Sequence, residues 1–422
     1  MRNVLVVVTL SLSLLAVAVG ADWPRFLGPD ATGVSPETGL AKSWPKEGTK
    51  ELWKCPAQDG FGPAAIEGGK VYFMDRVGEK QEVVRCLDLN TGKEEWTFAY
   101  DAPSAKAVNY PGSRSTPAVD DKFVYTVGVL GDVSCVSKET HKEVWHKNLL
   151  KDFDSKLPGW AVAGSPVIYK DWLILAPQGK SAGLVAVAKA TGEVVWKSDP
   201  VGTMAYDTPM IAKIGGVEQA VIVSASAVAG VSLADGKVLW TFPMSAKPDD
   251  PKGWKVATAM IPSPVDLGDG KIFLTGGYGG GSVILKVTAE GGKFKVDMIK
   301  KIPEVGARVQ NAIPWKGHLY VNSEDTGAGL TCLDTEGNIK WKTEGNVDFD
   351  RGNLIIADGL IYMVGKSAKL YLIEASPDGY KELSVFKGLE VAKQAWAPLA
   401  LSNGKLVGRD QKQFKCWDVS GK

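Results

Sequence analysis

The pattern of apolar and polar residues along the chain predicts short β-strands joined by tight turns. Runs of apolar residues, rich in β-branched and aromatic side chains, alternate with turns of Gly, Asp and Lys, which is typical of hairpins. Eight of these runs open a longer repeating unit, and most of them begin with proline, which the first residue of a strand tolerates. The predicted innermost strands start at Pro63, Pro117, Pro166, Pro209, Pro264, Pro314, Asn353 and Pro398.

Most units also carry a glycine turn that is followed by a tryptophan on the predicted outer strand. Gly92 and Gly192 stand in two of these turns, where glycine supplies the positive φ that a tight hairpin needs. An indole ring can bury a large area while its N–H reaches a carbonyl group. We therefore interpret as structural a set of residues that dock one unit on the next: Trp53, Trp96, Trp145, Trp196, Trp240 and Trp341.

The repeat predicts the fold class. Strand-only units with a period of roughly 40–55 residues indicate propeller blades. We predict an all-β protein, an eight-bladed β-propeller of four-stranded antiparallel blades. The last blade, from Pro398, lacks an outer strand, and residues 52–55 can supply it, so that an N-terminal outer strand closes the ring and removes exposed sheet edges. The predicted organisation is a signal peptide at 1–21, an N-terminal arm at 22–50 and the propeller at 51–422.

The first residues resemble an export signal. Arg2 precedes an apolar run from Val4 to Val19, and small residues follow it, which is typical of a cleaved secretory signal peptide. The alternative is an uncleaved membrane anchor, because the uncharged stretch is nearly long enough to span a bilayer. We expect an exported protein, located in the periplasm or at the cell envelope.

The charge balance argues against one class of partner. The 422 residues include 49 Lys and Arg and 48 Asp and Glu, which gives a formal net charge of +1. A chain without a strong global field would not attract nucleic acid or an anionic membrane. The absence of a long apolar strip favours a monomer.

The cysteine positions suggest one candidate disulfide. Equivalent positions in different blades are too far apart to bond, so we interpret Cys86, Cys135 and Cys332 as small buried apolar residues. Ring closure places Cys55 and Cys416 on neighbouring strands of one blade, where an exported protein can form a disulfide. The register of the two strands decides whether these thiols are bonded.

Two segments resemble a known family. The segment Asp88-Leu89-Asn90-Thr91-Gly92-Lys93-Glu94-Glu95-Trp96 resembles the tryptophan-docking repeat of pyrroloquinoline-quinone (PQQ)-type propellers. The arm begins Asp22-Trp23-Pro24-Arg25-Phe26-Leu27-Gly28-Pro29, which is similar to the start of exported PQQ-like repeat proteins. The eight-blade count resembles the BamB-like family, which implies a role in envelope protein assembly. BamB is normally lipid-anchored, and this chain has no acylation cysteine near the leader.

The candidate binding residues lie in the loops that lead into the innermost strands, at the central channel. Large aromatic and guanidinium groups occur there, although small residues would serve for blade packing. Converging arginines could grip a carboxylate through bidentate hydrogen bonds. The candidates are Tyr110, Arg114, Trp160, Asp207, Arg308, Asn311, Arg351 and Trp396.

Three interpretations of this channel mouth are open from the sequence. It is a site for a small anionic ligand, a contact face for an envelope protein, or a plug in which the arginines pair with Asp207 and Asp350. The favoured function is a non-catalytic exported scaffold that binds a protein or a small ligand, with no catalytic residue and no metal assigned.

The family resemblance implies a further alternative, a PQQ-dependent oxidoreductase. Enzymes of that kind clamp the quinone between a tryptophan and a vicinal disulfide, hold calcium with Glu and Asn, and use an Asp base. Trp160 or Trp396 could be the tryptophan, but the chain has no adjacent cysteines. We therefore assign no cofactor and keep a bound quinone as the alternative to the non-catalytic scaffold.

Overall fold

The computed structural model describes residues 21–103, 112–244, 254, 260–324, 328–343, 347, 349–391 and 394–421. The predicted signal peptide, apart from Ala21, lies outside the described residues. Within the described ranges, no helix is both long enough and apolar enough to cross a membrane.

The described strands form eight sheets: six consist of four consecutive strands, one of four strands that include Glu51–Pro56, and one of five strands that include Val34–Ser35. In chain order the strands begin with β1 (Val34–Ser35) and β2 (Glu51–Pro56). Blade 1 contains β3 (Ala65–Glu67), β4 (Lys70–Val77), β5 (Gln81–Asp88) and β6 (Glu94–Asp101); blade 2 contains β7 (Ala118–Val119), β8 (Phe123–Val127), β9 (Asp132–Ser137) and β10 (Glu143–Asn148). A one-turn helix, α1 (Leu149–Asp152), follows, and the Asn148 side chain caps it by accepting from the amides of Leu150 and Lys151.

The next four blades repeat this arrangement. They are β11 (Val167–Tyr169), β12 (Trp172–Leu175), β13 (Val185–Ala188) and β14 (Val194–Lys197); β15 (Met210–Ile214), β16 (Val217–Val223), β17 (Ala227–Ser232) and β18 (Val238–Pro243); β19 (Val265–Gly268), β20 (Lys271–Gly276), β21 (Gly281–Glu290) and β22 (Lys293–Ile302); and β23 (Ile313–Trp315), β24 (His318–Ser323), β25 (Gly329–Asp334) and β26 (Ile339–Lys342).

The last two blades use residues from the N-terminal part of the chain. Blade 7 contains β27 (Leu354–Ala357), β28 (Leu360–Gly365), β29 (Lys369–Glu374) and β30 (Glu382–Lys387), with a 3₁₀ turn at Lys366–Ala368; blade 8 contains β31 (Ala400–Ser402), β32 (Lys405–Arg409) and β33 (Gln413–Asp418). Blade 7 gains a fifth, innermost strand, because β1 pairs in parallel with β27. Blade 8 takes its outermost strand from β2, which pairs antiparallel with β33. The predicted eight-bladed propeller, closed by an N-terminal outer strand, is confirmed.

The disulfide that the sequence allowed is not formed. Cys55 and Cys416 are both free and buried. The register places Trp53 opposite Cys416 and Cys55 opposite Phe414, so the two cysteines are diagonal neighbours. The Cβ atoms of diagonal pairs are about 7–8 Å apart or somewhat less, whereas a disulfide needs roughly 3.5–4.5 Å.

The outer tryptophans and the glycine turns meet across blade interfaces. Gly92 has φ 67°, and a Cβ atom placed on it would lie 2.6 Å from the side chain of Trp53. The Trp53 indole donates to the Leu89 carbonyl at 2.7 Å, in the same turn. Gly192 and Trp145 repeat this contact. The glycine is therefore required for the left-handed turn and for the close approach of the indole.

The remaining tryptophans of the set follow this scheme in part. The indole N–H groups of Trp196 and Trp341 donate to backbone carbonyls of the following blade, at 3.1 Å and 2.9 Å. Trp240 instead donates to the Gln219 side chain of its own blade at 2.8 Å. Trp96 stacks on His141, with ring centroids 4.9 Å apart. All four contacts stabilise packing within or between blades.

The start of the N-terminal arm bonds to inner strands on one side of the ring. Trp23 and Ile66 of blade 1 exchange two backbone hydrogen bonds of 2.8 Å. The Val119 amide of blade 2 donates to the Pro24 carbonyl at 2.8 Å. Arg25 donates from Nη1 to the Ile168 carbonyl of blade 3 at 3.2 Å.

The arm then reaches the opposite side of the ring through β1. Val34 pairs with Ile356 of blade 7, and a Cβ atom on Gly33 would lie 2.3 Å from the Ile313 side chain of blade 6. Blades 3 and 7 face each other in a ring of eight. The arm therefore crosses the channel at the level of the inner strands, away from the loops at which those strands begin.

Candidate functional site

The loops that lead into the inner strands surround one cavity. It has a volume of about 340 Å³, which is within the usual size range of small-molecule sites. Its lining residues come from all eight blades and from the arm: Phe26, Phe61, Pro63, Arg114, Trp160, Ala163, Tyr206, Thr208, Ile261, Tyr278, Val309, Asn311, Arg351, Asn353, Trp396 and Pro398. We call this end of the channel, at which the inner strands begin, the channel mouth.

A belt of hydrogen bonds joins neighbouring blades at this level. In each link the backbone amide just before one inner strand donates to a Ser, Thr or Asn side chain at the equivalent place in the next blade. The links, 2.9–3.2 Å long, run from Thr116 to Ser165, Ser165 to Thr208, Thr208 to Ser263, Ser263 to Asn311, and Asn311 to Asn353. Because every acceptor is a short buried side chain, the belt fixes the relative positions of blades 2 to 7 around the cavity.

The belt is interrupted at blades 8 and 1. Ala397 and Gly62 occupy the equivalent positions and offer no side-chain acceptor. Gly62 cannot be replaced by serine without movement, since a Cβ atom there would lie 2.6 Å from the Ser115 carbonyl oxygen. The Thr116 hydroxyl, at the open end of the belt, has no hydrogen-bond partner among the described residues.

A chain of ring and guanidinium contacts occupies the interrupted sector. The Arg351 guanidinium lies 4.5 Å from the ring centroid of Trp396. Trp396 stacks on Phe61, with centroids 5.6 Å apart and ring planes at 20°. Arg114 lies 5.6 Å from the Phe61 ring centroid. Two flat rings flanked by two cations thus form one wall of the cavity, with favourable cation–π geometry at both ends. We call this the stacked wall.

Gln411 holds the two loops that carry the rings of the stacked wall. Its Oε1 accepts from the Gly60 amide at 2.9 Å, and its Nε2 donates to the carbonyls of Gly60 and Gln394 at 3.2 Å and 2.8 Å. Gly60 precedes Phe61, and Gln394 lies two residues before Trp396. One side chain therefore sets the spacing of the stacked rings.

The arginines at the mouth differ in their partners. Arg351 donates from Nε to Glu324 Oε1 at 3.0 Å, and Arg308 Nε lies 3.2 Å from Glu324 Oε2. Glu324 is largely buried, which raises its pKa, and the charges of Arg351 and Arg308 oppose that rise. Arg114 instead donates to the Gly112 carbonyl at 2.6 Å. Burial lowers the pKa of Arg114 to about 10, so its guanidinium is charged at neutral pH.

The other walls are also aromatic. Trp160 and Tyr206 meet edge to face with centroids 5.8 Å apart. Tyr278 stands at the tip of the glycine-rich hairpin between β20 and β21, and the Arg308 guanidinium lies 4.7 Å from its ring centroid. Phe26 is contributed by the arm. Aromatic side chains on several walls favour a flat ligand, because rings stack in offset or edge-to-face arrangements.

Asp207 lies just outside the cavity wall. It is 3 % exposed, and its Oδ2 accepts from the Val223 amide at 3.0 Å. The other oxygen, Oδ1, has no hydrogen-bond partner among the described residues. Burial raises the pKa of this carboxyl to about 8, since the charged form would lack solvation. Asp207 is therefore mainly protonated at neutral pH.

The structure places the candidate residues from the sequence as follows. Arg114, Trp160, Asn311, Arg351 and Trp396 line the cavity together. Arg308 and Asp207 are not among the lining residues. Tyr110 lies outside the described residues.

The plug interpretation, in which the arginines pair with Asp207 and Asp350, stays a hypothesis. In the described residues Arg308 and Arg351 contact Glu324, while the Asp350 side chain accepts from the Trp396 indole at 3.0 Å. Glu324 was missed because it follows the second strand of its blade rather than preceding the first. Phe26, Tyr278 and Gln411 were missed for a similar reason: each lies outside the loops that enter the inner strands.

Metal-binding and thiol chemistry find no support in the part of the chain that the structure describes. It contains no group of three or more His, Cys, Asp or Glu side chains arranged to hold a metal ion. The five cysteines are all free and buried. The sequence assigned neither a metal nor a catalytic residue, and that assignment stays a prediction.

Fold and cavity together define the class of this molecule: an eight-bladed PQQ-like β-propeller with a pocket at the channel mouth. The family model described as "Outer membrane protein assembly factor BamB" matches residues 79–343. The chain belongs to this family, which confirms the resemblance seen in the repeats.

Individual relatives are more distant. The 1-butanol dehydrogenase (cytochrome c) of Thauera butanivorans is 28% identical over 183 residues, which are 42% of this chain and 25% of that protein. The chain thus matches about a quarter of the length of this curated relative.

Solved structures share the fold at low sequence identity. The quinohemoprotein alcohol dehydrogenase of Comamonas testosteroni aligns with TM-score 0.65 and 12% identity, over 95% of this chain and 81% of that chain. A europium-containing methanol dehydrogenase aligns with TM-score 0.63 and 12% identity, over 94% and 89% of the two chains.

Proposed function

We propose that this propeller is a non-catalytic binding protein that holds a small, flat, carboxylate-bearing molecule at the channel mouth. The observation that carries the proposal is the lining of the cavity. Six aromatic side chains and two guanidinium groups line it, and no carboxylate does so among the described residues. Pockets that combine apolar walls with a few convergent polar groups are typical of small-molecule sites.

The charges around the cavity favour an anion. Arg114, Arg308 and Arg351 contribute three positive charges, and Glu324 and Asp350, which are not among the lining residues, contribute two negative charges. The balance of these five groups is therefore positive, and the positive members Arg114 and Arg351 reach the lining. A carboxylate beside either guanidinium can form charge-assisted hydrogen bonds, while its ring contacts the aromatic side chains of the lining.

A second candidate is a PQQ-dependent oxidoreductase, and two observations favour it. The fold resembles solved alcohol and methanol dehydrogenases, and part of the chain is similar to a 1-butanol dehydrogenase. The organic cofactor would fit the aromatic walls and the guanidiniums, since such a quinone is flat and anionic.

The calcium ion of that class does not fit the described lining. Calcium requires six to eight oxygen ligands, usually including carboxylates. The two amide side chains in the lining are already engaged: Asn311 Oδ1 accepts from Ser263 and Asn353 Oδ1 accepts from Asn311. The neighbouring guanidiniums would also repel a cation. We therefore favour the binding protein over the enzyme.

Calorimetric titration with three naphthalene derivatives of similar shape tests the proposal. Naphthoate is the anion, naphthalenemethanol is neutral, and naphthylmethylammonium is the cation. We expect naphthoate to bind most tightly and the cation least. Arg114→Gln and Arg351→Gln should each weaken naphthoate binding by about tenfold to a hundredfold, as expected for a lost charged hydrogen bond.

Lys170→Gln is the matched control, because it removes one positive charge on an exposed side chain far from the cavity lining. It should leave binding unchanged. Equal affinity for the acid and the alcohol, or an unchanged affinity in both arginine variants, would overturn the proposal. A calcium-dependent chromophore after incubation with PQQ would favour the oxidoreductase instead.

The cellular setting is part of the same proposal. The family description names outer-membrane protein assembly, and we place this protein in the periplasm or cell envelope, with an envelope protein as the candidate macromolecular partner. Cell fractionation followed by pull-down from the envelope fraction tests this. Recovery of the protein in the cytoplasm alone would contradict it.

A further inference from the structure

We infer that Phe26, from the N-terminal arm, closes the far end of the cavity and thereby limits the length of the ligand. This inference rests on the proposed small-molecule site and adds its specificity-determining residue. Every other lining residue belongs to the propeller itself, whereas Phe26 belongs to the segment that crosses the channel. The depth of the pocket is thus set by a residue outside the repeats.

The position of Phe26 relative to the channel follows from its neighbours. Trp23 and Pro24, just before it, are bonded to inner strands of blades 1 and 2. Val34 and Ser35, after it, pair with blade 7. The loops of the channel mouth precede the same inner strands to which the arm is bonded. The arm therefore lies deeper in the channel than these loops, and Phe26 lines the end of the cavity that is farthest from the mouth.

The local backbone holds this segment in a compact conformation. The Gly28 amide donates to the Arg25 carbonyl at 3.0 Å, and the Gly33 amide donates to the Leu27 carbonyl at 2.8 Å. A Cβ atom on Gly28 would lie 2.8 Å from the Trp23 ring, so the arm also packs on itself. These contacts make Phe26 a fixed floor.

Leu27 provides the matched control for this floor. It is 7 % exposed and packs in a buried cluster with Ile313 and Ile356. It is absent from the cavity lining. Leu27→Ala should therefore loosen the packing of the arm without removing the floor, whereas Phe26→Ala removes the floor.

The first experiment compares the affinities of naphthoate and the longer anthracenecarboxylate. In the parent protein we expect naphthoate to bind more tightly. In Phe26→Ala the affinity ratio should shift toward the longer acid by about tenfold, the size of effect that one added apolar group produces in a pocket. A shift of the same size in Leu27→Ala, or no shift in Phe26→Ala, would overturn the inference.

The second experiment needs no ligand. The five natural cysteines are buried, and burial raises the pKa of the Cys86 thiol to about 12, so they are poor nucleophiles. Phe26→Cys should react with a small methanethiosulfonate reagent in the folded protein, while Leu27→Cys should not. Relative to free cysteine, the anionic reagent should react at least about tenfold faster than the cationic one, because the cavity is positively charged.

The two experiments separate the two proposals. If Phe26→Cys is labelled but neither acid binds the parent, the ligand class is wrong and the floor stands. If the acids bind but Phe26→Cys is protected from the reagent, the cavity is a site and Phe26 is not its floor.

Discussion

Replacing Asp207 with asparagine should abolish a component of pH-dependent stability that the structure attributes to this one residue. The carboxyl is 3 % exposed, and one of its oxygens accepts from the Val223 amide. Asparagine retains that acceptor and introduces no charge. The variant therefore tests the protonation of the group while preserving its shape.

The magnitude follows from the gap between the ordinary pKa of 3.8 and the raised value of about 8. Between these values the folded protein keeps the Asp207 proton and the unfolded chain releases it, so stability falls as the pH rises. The slope is about 1.4 kcal/mol per pH unit, and the whole gap corresponds to roughly 6 kcal/mol. This total is an upper bound, because relaxation and water entry reduce the cost of a buried charge.

The assay is urea unfolding of the parent and Asp207→Asn at several pH values between about 5 and 8. The difference in unfolding free energy should grow in favour of the variant as the pH rises. Other buried carboxyls, such as Glu82 with its raised pKa, contribute equally to both proteins and cancel. Asp199→Asn, at an exposed position, is the control and should show no such trend. Parallel pH profiles for the parent and Asp207→Asn would refute the reasoning.

Two further predictions concern ring closure and the stacked wall. Trp53→Ala should destabilise the protein by about 3–5 kcal/mol in urea unfolding. The substitution leaves a cavity where the indole packs on Gly92, and it removes the hydrogen bond to the Leu89 carbonyl. An effect below about 1 kcal/mol would contradict the role of Trp53 in ring closure. Gln411→Leu should weaken naphthoate binding by about tenfold, since small displacements of positioned groups are costly, and calorimetry showing parental affinity would contradict its positioning role.

The sequence predicted the propeller because its determinants are local. Three features repeat along the chain: the alternation of apolar and polar residues, the proline at the start of inner strands, and the glycine–tryptophan pair. Each of them determines the structure of a single blade or of a single interface between two blades. The same logic placed Arg114 and Trp396 at the channel mouth. The arm was different: Phe26 reaches the cavity through bonds such as that between Trp23 and Ile66, and no periodicity signals such a long-range contact.

The cavity also depends on a departure from the repeat. Six blades carry a Ser, Thr or Asn immediately before or near the start of the inner strand, and this regularity was visible in the sequence. The hydrogen bonds between blades could not be predicted from it, because only the structure shows that each backbone amide donates to a side chain of the next blade.

The interruption of that belt explains why the site is asymmetric. A fully bonded ring of eight equivalent positions would present the same short polar groups to the axis on every side. At Gly62 and Ala397 the side-chain acceptor is missing, and the adjoining loops instead present Phe61 and Trp396, held by Gln411. On this side the blades are joined by ring stacking and by backbone hydrogen bonds, such as those from the Phe61 and Gly62 amides to the Ser113 carbonyl, and two guanidiniums flank the stacked rings. The fold creates the channel, and the two blades that break the repeat supply the stacked rings of its wall.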